Sequence, residues 1–265
     1  MNNDPFNFNS LLHIENNKRL NRFIWSAVEN CLGFRELSEI YQTYKDQKSP
    51  QEFIKQILNH LAITYTVKTS DENGEIPRTG SLLIVSNHPF GALEALILAD
   101  HLSLNRSDVR ILANVFLKKI LPVSELLFGV NPFKDNTSIK NNQKVIRDIY
   151  HWLQNDHCLI TFPAGNVSYL HLKKPFIADG EWDQQIARLA RSTKSSVLPV
   201  FIEGRNSLGF YLLGSRLHAL RYGLELLNKR NKEISLYQGK LITPEIINSI
   251  QSDTDLISYL RKQVL

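Results

Sequence analysis

The chain has 265 residues, of which 43% are hydrophobic and 22% charged. That is the composition of a folded globular protein, and it excludes a disordered, collagen-like or coiled-coil chain. Two cysteines, Cys31 and Cys158, exclude a disulfide scaffold and a four-cysteine zinc site. The net charge is +5 and the excess is local, because residues 184–240 carry ten basic and three acidic side chains. A field of that sign suits an anionic partner, though it equally suits a solvated helix face. No stretch reaches the roughly 20 mainly apolar residues of a membrane span. The opening, MNNDPFNFNS, lacks the basic start and apolar stretch of a signal peptide. A cytoplasmic protein is therefore expected, one that can still lie on a membrane surface.

Residues 1–62 read as an N-terminal helical segment and residues 63–265 as one further domain. Leu20, Ile24, Ala27, Cys31 and Phe34 form an apolar stripe at helical spacing. Ser49-Pro50-Gln51-Glu52 is a helix start, with a capping serine, proline at the first position and a glutamate placed to bond back. After residue 63 short apolar runs alternate with helical stretches. The runs are Ser81–Ser86, Val109–Val115, Leu126–Val130, Cys158–Phe162, Val197–Ile202 and Ile234–Ile242. They show little alternation, as strands buried on both faces do. Helices are expected near 92–104, 137–154, 182–193, 210–228 and 246–262. The pattern predicts a layered α/β domain with a mostly parallel sheet flanked by helices. In such sheets functional residues sit in loops at the carboxyl ends of strands.

Three loops stand out. In Asn87-His88-Pro89-Phe90-Gly91-Ala92-Leu93-Glu94 a histidine leaves a buried strand and a carboxylate follows six positions later. Imidazole titrates near neutral pH, as a general base must, and a carboxylate can hold its second nitrogen and fix the tautomer. In Phe162-Pro163-Ala164-Gly165-Asn166-Val167-Ser168 proline and glycine build a tight turn whose backbone N–H groups suit an anion or oxyanion. In Phe201-Ile202-Glu203-Gly204-Arg205-Asn206-Ser207 a buried strand ends in charge, and Arg205 suits a phosphate or an acidic neighbour. Each loop taken alone also has an ordinary structural reading.

Taken in order, these motifs resemble the PlsC-type glycerolipid acyltransferase superfamily. The likeness is nearest to its hemolysin-related branch, which is akin to the acyltransferases of ornithine lipid synthesis. That branch reads N-H-P-F-G-G-L-D, F-P-A-G-E-V-S and F-E-G-R-N-S, and the three loops above follow it. Residues 215–218 and 225–229 are similar to it as well. Three departures are visible. The superfamily's usual H-x4-D is one residue longer here, with Glu94 in place of Asp. Asn166 stands where the branch has Glu. The region that usually supplies an arginine for phosphate offers Lys134.

The resemblance implies acyl transfer from acyl-coenzyme A or acyl carrier protein to the hydroxyl of a lysolipid-type acceptor, with no bound cofactor. It casts His88 as general base and Glu94 as its partner. Asn87, Lys134, Pro163, Gly165, Asn166 and Arg205 become the expected substrate contacts. A lipid-binding protein on the same fold, with weak or no turnover, is the alternative that Glu94 and Asn166 motivate. Nucleic acid is not an expected partner, since no aromatic stacking platform is interleaved with the basic residues. No metal site is expected, for there is no H-E-x-x-H and His151 and His157 lack a third ligand. Peripheral membrane contact has two candidate stretches. One is the N-terminal stripe beside Lys18, Arg19 and Arg22. The other is Leu213, Leu217, Leu220, Leu224 and Leu227 beside Arg216 and Arg221. Both also suit packing on the sheet, which is the expected role of the later one.

Overall fold

Residues 82–86 are buried at every position, which is why that run shows no alternation of polar and apolar residues. The computed structural model describes residues 4–6, 33–70, 74–131, 136–171, 176–212 and 222–265. Its first half runs α1 (Phe34–Tyr44), α2 (Pro50–His60), β1 (Thr64–Thr69), β2 (Leu82–Ser86), α3 (Leu93–Ser103), β3 (Val109–Asn114) and β4 (Leu127–Val130). Then follow α4 (Asn136–Gln154), β5 (Cys158–Thr161), β6 (Tyr169–His171), β7 (Phe176–Ala178), α5 (Gln184–Thr193) and β8 (Ser196–Ile202). The chain closes with α6 (Leu208–Leu212), β9 (Glu233–Gln238), α7 (Pro244–Ser249) and α8 (Asp253–Val264).

Seven strands form the main sheet in the order β1-β9-β8-β2-β5-β3-β4. The five from β8 to β4 are parallel. β9 is antiparallel to β8, and β1 is parallel to β9. The fold is thus the expected α/β architecture with a mostly parallel sheet. Alternate side chains enter two cores. Leu82, Ile84, Cys158, Ile160 and Leu198 meet Leu37 of α1, Ile54 of α2 and Ile97 of α3. Leu83, Val85, Leu159 and Val197 meet Leu153 of α4, Ile186 of α5 and Leu260 of α8. Helices therefore cover both faces, which leaves the strand ends as the place to meet a substrate.

Local signals account for most element boundaries. Ser49 caps α2, its hydroxyl accepting from the Glu52 N–H at 3.1 Å, with Pro50 in the first turn. The Glu52 carboxylate bonds back one residue further than a capping box requires, to the Lys48 N–H at 3.2 Å. The expected single helix over 246–262 is two helices. Ser252 breaks it by capping α8, where its hydroxyl accepts from the Asp255 N–H at 3.0 Å. β1 had no apolar run to announce it, because it is an edge strand with mostly exposed side chains. The stripe over Leu20–Cys31 and the part of the later stripe before residue 222 lie outside the described residues. Leu227, at that stripe's end, is buried in the core. No described helix is long and apolar enough to cross a membrane.

The end of the sheet away from the strand carboxyl termini is tied by Arg106, whose side chain is fully buried. It donates to the Asp108 carboxylate and to the carbonyls of Pro77, Gly80 and Asp156. One guanidinium thus joins the ends of three connections. Arg106→Met removes all of these bonds from the junction and leaves Asp108 without its guanidinium partner, and is expected to cost about 3 kcal/mol. Chemical denaturation checks this; a midpoint unchanged from wild type would contradict it.

Candidate active site

Because β8, β2 and β5 are adjacent and parallel, the loops that follow them meet at the carboxyl end of the sheet. β2 delivers Asn87 and His88. β5 delivers the turn from Phe162 to Ser168. β8 delivers the loop from Glu203 to Ser207.

His88 and Glu94 are brought together. The His88 Nδ1 lies 2.7 Å from the Glu94 Oε1. Glu94 is in the first turn of α3 and its side chain is fully buried. It folds back over the helix N-terminus and accepts from the Phe90 N–H at 3.0 Å and from the Gly91 N–H at 2.9 Å on each oxygen. Helix start and loop amides both favour a carboxylate there. Burial pushes the Glu94 carboxyl up, but the His88 ring beside it and the Gly91 N–H outweigh that and hold it below the ordinary range. The six-residue spacing works because Gly91, at φ +117°, turns the chain where a side chain would strike the Tyr222 ring and Val167.

The His88 side chain keeps 14% of its exposure. Its Nε2 has no partner among the described residues and is not a buried unpaired atom. Nδ1 is therefore the anchored nitrogen and Nε2 the open one. The Phe162 ring stacks on the imidazole at 4.4 Å between centroids and 19° between planes. The His88 backbone is held as well. Its carbonyl accepts from the Ser168 N–H at 2.8 Å and its N–H donates to Asp179 Oδ1 at 3.2 Å. Asp179 also accepts from the Ser168 hydroxyl and the Trp182 indole N–H.

Three expected substrate contacts have other work. The Asn87 amide is buried and bridges both backbone groups of Ile202, donating at 2.9 Å and accepting at 2.7 Å. It fastens the end of β2 to β8. Pro163 shapes the turn, and its carbonyl accepts from the Asp183 N–H at 2.9 Å. The Gly165 N–H closes that turn on the Phe162 carbonyl at 2.9 Å, so it is spent there. The neighbouring N–H groups of Ala164 and Asn166 have no acceptor among the described residues. Around Gly165, at φ +66°, the space is open. Arg205 is exposed and its side chain has no hydrogen bond or ion pair among the described residues. Lys134 lies outside them.

Sequence reasoning passed over Asp179, Asn206, Glu225 and Lys229. The last three fall within stretches that the family comparison had touched. Asp179 had no local signal, since it is the pairing of β7 with β6 that returns it to His88. Cys158 sits in the core, where burial pushes its thiol up to about 12. That thiol is inert at neutral pH. Among the described residues no group of three or more His, Cys, Asp or Glu side chains is placed to hold a metal ion.

The depressed Glu94 pKa has a consequence for stability. A carboxyl whose folded value lies below its unfolded one, about 4.3, stabilises the fold above that pH. The contribution is lost as the pH falls through the folded value. The urea midpoint of wild type is therefore expected to drop below pH ~4 more steeply than that of Glu94→Gln. Parallel pH profiles would remove Glu94 from this account.

Comparison with known proteins agrees with the motifs. A family model described as Acyltransferase matches residues 17–243. The chain is 24% identical over 257 residues to a lyso-glycine lipid O-acyltransferase of Phocaeicola vulgatus, covering 93% of this chain and 88% of that protein. It is likewise 24% identical over 254 residues to a lyso-glycine lipid O-acyltransferase of Bacteroides thetaiotaomicron, covering 92% and 89%.

Proposed function

Since this chain belongs to the acyltransferase family and is an O-acyltransferase, we propose that it moves a fatty acyl group from a thioester to a lysolipid hydroxyl, with His88 as general base. The observation that carries the reading is the His88–Glu94 pair, in which a buried carboxylate holds Nδ1 and leaves Nε2 open. In the proposed step Nε2 takes the acceptor's hydroxyl proton as the oxygen attacks the thioester carbonyl carbon. The C–O bond forms and the carbonyl electron pair moves onto oxygen. Collapse of that intermediate breaks the C–S bond, and the departing thiolate takes the proton back from Nε2. An ester and a free thiol leave, and His88 is neutral again.

Glu94 stays ionised throughout and stabilises the imidazolium while it exists. The Phe162 face limits rotation of the ring. The unpaired N–H groups of Ala164 and Asn166 are the proposed donors to the developing oxyanion, or to an anionic group of the substrate. Arg205 is the proposed contact for a donor phosphate or an acceptor headgroup. The donor is acyl-coenzyme A or acyl carrier protein, and the reaction needs no resident cofactor. The relatives named above act, by their names, on a lyso-glycine lipid. A lysolipid with a free hydroxyl is accordingly the acceptor class. Such an acceptor lies in a bilayer, so the protein is proposed to work peripherally, on the cytoplasmic face.

The test is thioester consumption by purified protein, with acyl-coenzyme A and acyl carrier protein offered as donors and a panel of lysolipids as acceptors. Ester product that requires both the acceptor and His88 is the expected result. Thioester loss that does not depend on an acceptor would make the protein a hydrolase. No turnover with any pair, alongside saturable lipid binding, would turn the reading to a lipid-binding protein.

A further inference from the structure

Glu94 is reached from a second side by a buried cation that the mechanism above does not use. Lys229 and Glu225 are both buried beneath the loop that follows β8, with the ammonium 3.3 Å from the Glu225 Oε2. The same ammonium donates to the Asn206 Oδ1 at 3.2 Å. Lysine has only donors, so the Asn206 oxygen must face it and the amide NH2 must point away. That NH2 donates to the Phe90 carbonyl at 3.1 Å. The Phe90 carbonyl and the Gly91 N–H belong to one peptide group, and that N–H is the one that meets both Glu94 oxygens. Every donor in the series points the same way, from Lys229 toward Glu94, and ends one bond from the His88 ring. Hydrogen bonds in such a chain polarise one another, most strongly where water is excluded. Asn206, Phe90 and Glu94 are all buried.

The packing gives the path a fixed length. Gly204 lies against the Phe90 ring so closely that a Cβ there would come within 2.4 Å of it. The Lys229 ammonium sits 5.0 Å from the centre of the same ring. Glu225 pins the loop itself, accepting from the Ser207 N–H at 2.8 Å and from the Ser207 hydroxyl.

We propose that Lys229 is a positioning residue for the catalytic pair, acting through Asn206 and the Phe90–Gly91 peptide to orient and stabilise the Glu94 carboxylate. The inference rests on His88 being the general base. By drawing charge from Glu94 the relay keeps the carboxylate a moderate acceptor for Nδ1–H. Without the relay more charge stays on the carboxylate, which favours the imidazolium beside it. Among the described residues the other ionisable groups facing this path are Glu225, Lys232, Tyr211, Tyr222 and Asp179, with Arg205 on the loop surface. None of them donates along it.

The experiment is the pH profile of kcat and kcat/KM for lysolipid acylation in wild type, Asn206→Leu and the double variant Lys229→Met/Glu225→Gln. The double variant removes the buried pair together, so no unpaired charge is left to unfold the protein. Asn206→Leu breaks the relay while leaving the pair intact. Both variants are expected to lose about tenfold in kcat with KM nearly unchanged, and to move the acid limb of kcat/KM upward by about half a pH unit. A wild-type acid limb in both folded variants overturns the inference. So does a lower kcat with an unmoved limb, the mark of a clamp that holds the loop and nothing more. His88→Ala measured in parallel separates the two claims. If it turns over normally, the base reading falls and the relay with it. If it is inactive while the limbs stay put, the relay alone is wrong.

Discussion

His88→Ala is expected to lower lysolipid acylation by about 10⁴-fold, the upper end of what a positioned general base contributes. A hydroxyl is a poor nucleophile at neutral pH, and among the described residues no other imidazole contacts Glu94 to replace the lost base. The contacts with Glu94 and Phe162 are the ring's own, so the loss is confined to the site. Glu94 remains buried in the variant but keeps the Phe90 and Gly91 amides as donors. The partly exposed cavity left by the ring also admits water. The cost in stability is therefore modest, about 1–2 kcal/mol, and circular dichroism should show a folded protein. KM for the lysolipid should change little, because the step lost is proton removal in the transition state. A folded His88→Ala variant with wild-type kcat would end the general-base mechanism.

The strands were legible for a simple reason. β2, β5 and β8 are covered by helices on both faces, so each reads as an unbroken apolar run. β1 was not legible. Its Thr-Tyr-Thr-Val-Lys-Thr sequence is largely exposed, and what makes it a strand is its register with β9, from Thr64 opposite Glu233 to Thr69 opposite Gln238. Pairing across that separation leaves no local trace. The break between α7 and α8 was written in the sequence as Ser252 and Asp255, but helical periodicity on both sides outweighed it.

The site divides in the same way. His88, Glu94 and the turn after Phe162 were found because each follows a buried run and carries unusual chemistry. Strand order, which the sequence does not state, is what brings their loops together. Asn87 shows the limit. A polar side chain one residue beyond a strand looks the same whether it faces a ligand or the neighbouring backbone. Here the last pair of β2 with β8 ends at Ser86 and Val200, and the Asn87 amide supplies the next rung to Ile202. The turn after Phe162 is a related case, since a turn consumes one of the amides it seems to offer, here that of Gly165.

Glu94→Gln is expected to reduce kcat by about 10³-fold while leaving the fold intact. The amide is nearly isosteric, so its oxygen can still take the Phe90 and Gly91 N–H groups. What disappears is the charge. Imidazolium formed during proton transfer would face a neutral dipole at a fully buried position. Glu94→Asp should behave differently. It keeps the charge but withdraws the carboxylate by about one methylene, roughly 1.5 Å, opening the 2.7 Å bond to Nδ1. An intermediate loss of about 10-fold to 100-fold follows if charge matters more than reach. Steady-state kinetics on both variants decides the order. Glu94→Asp falling below Glu94→Gln would mean that the site depends on the length of the side chain, and that Glu94 orients the ring by contact more than it stabilises it by charge.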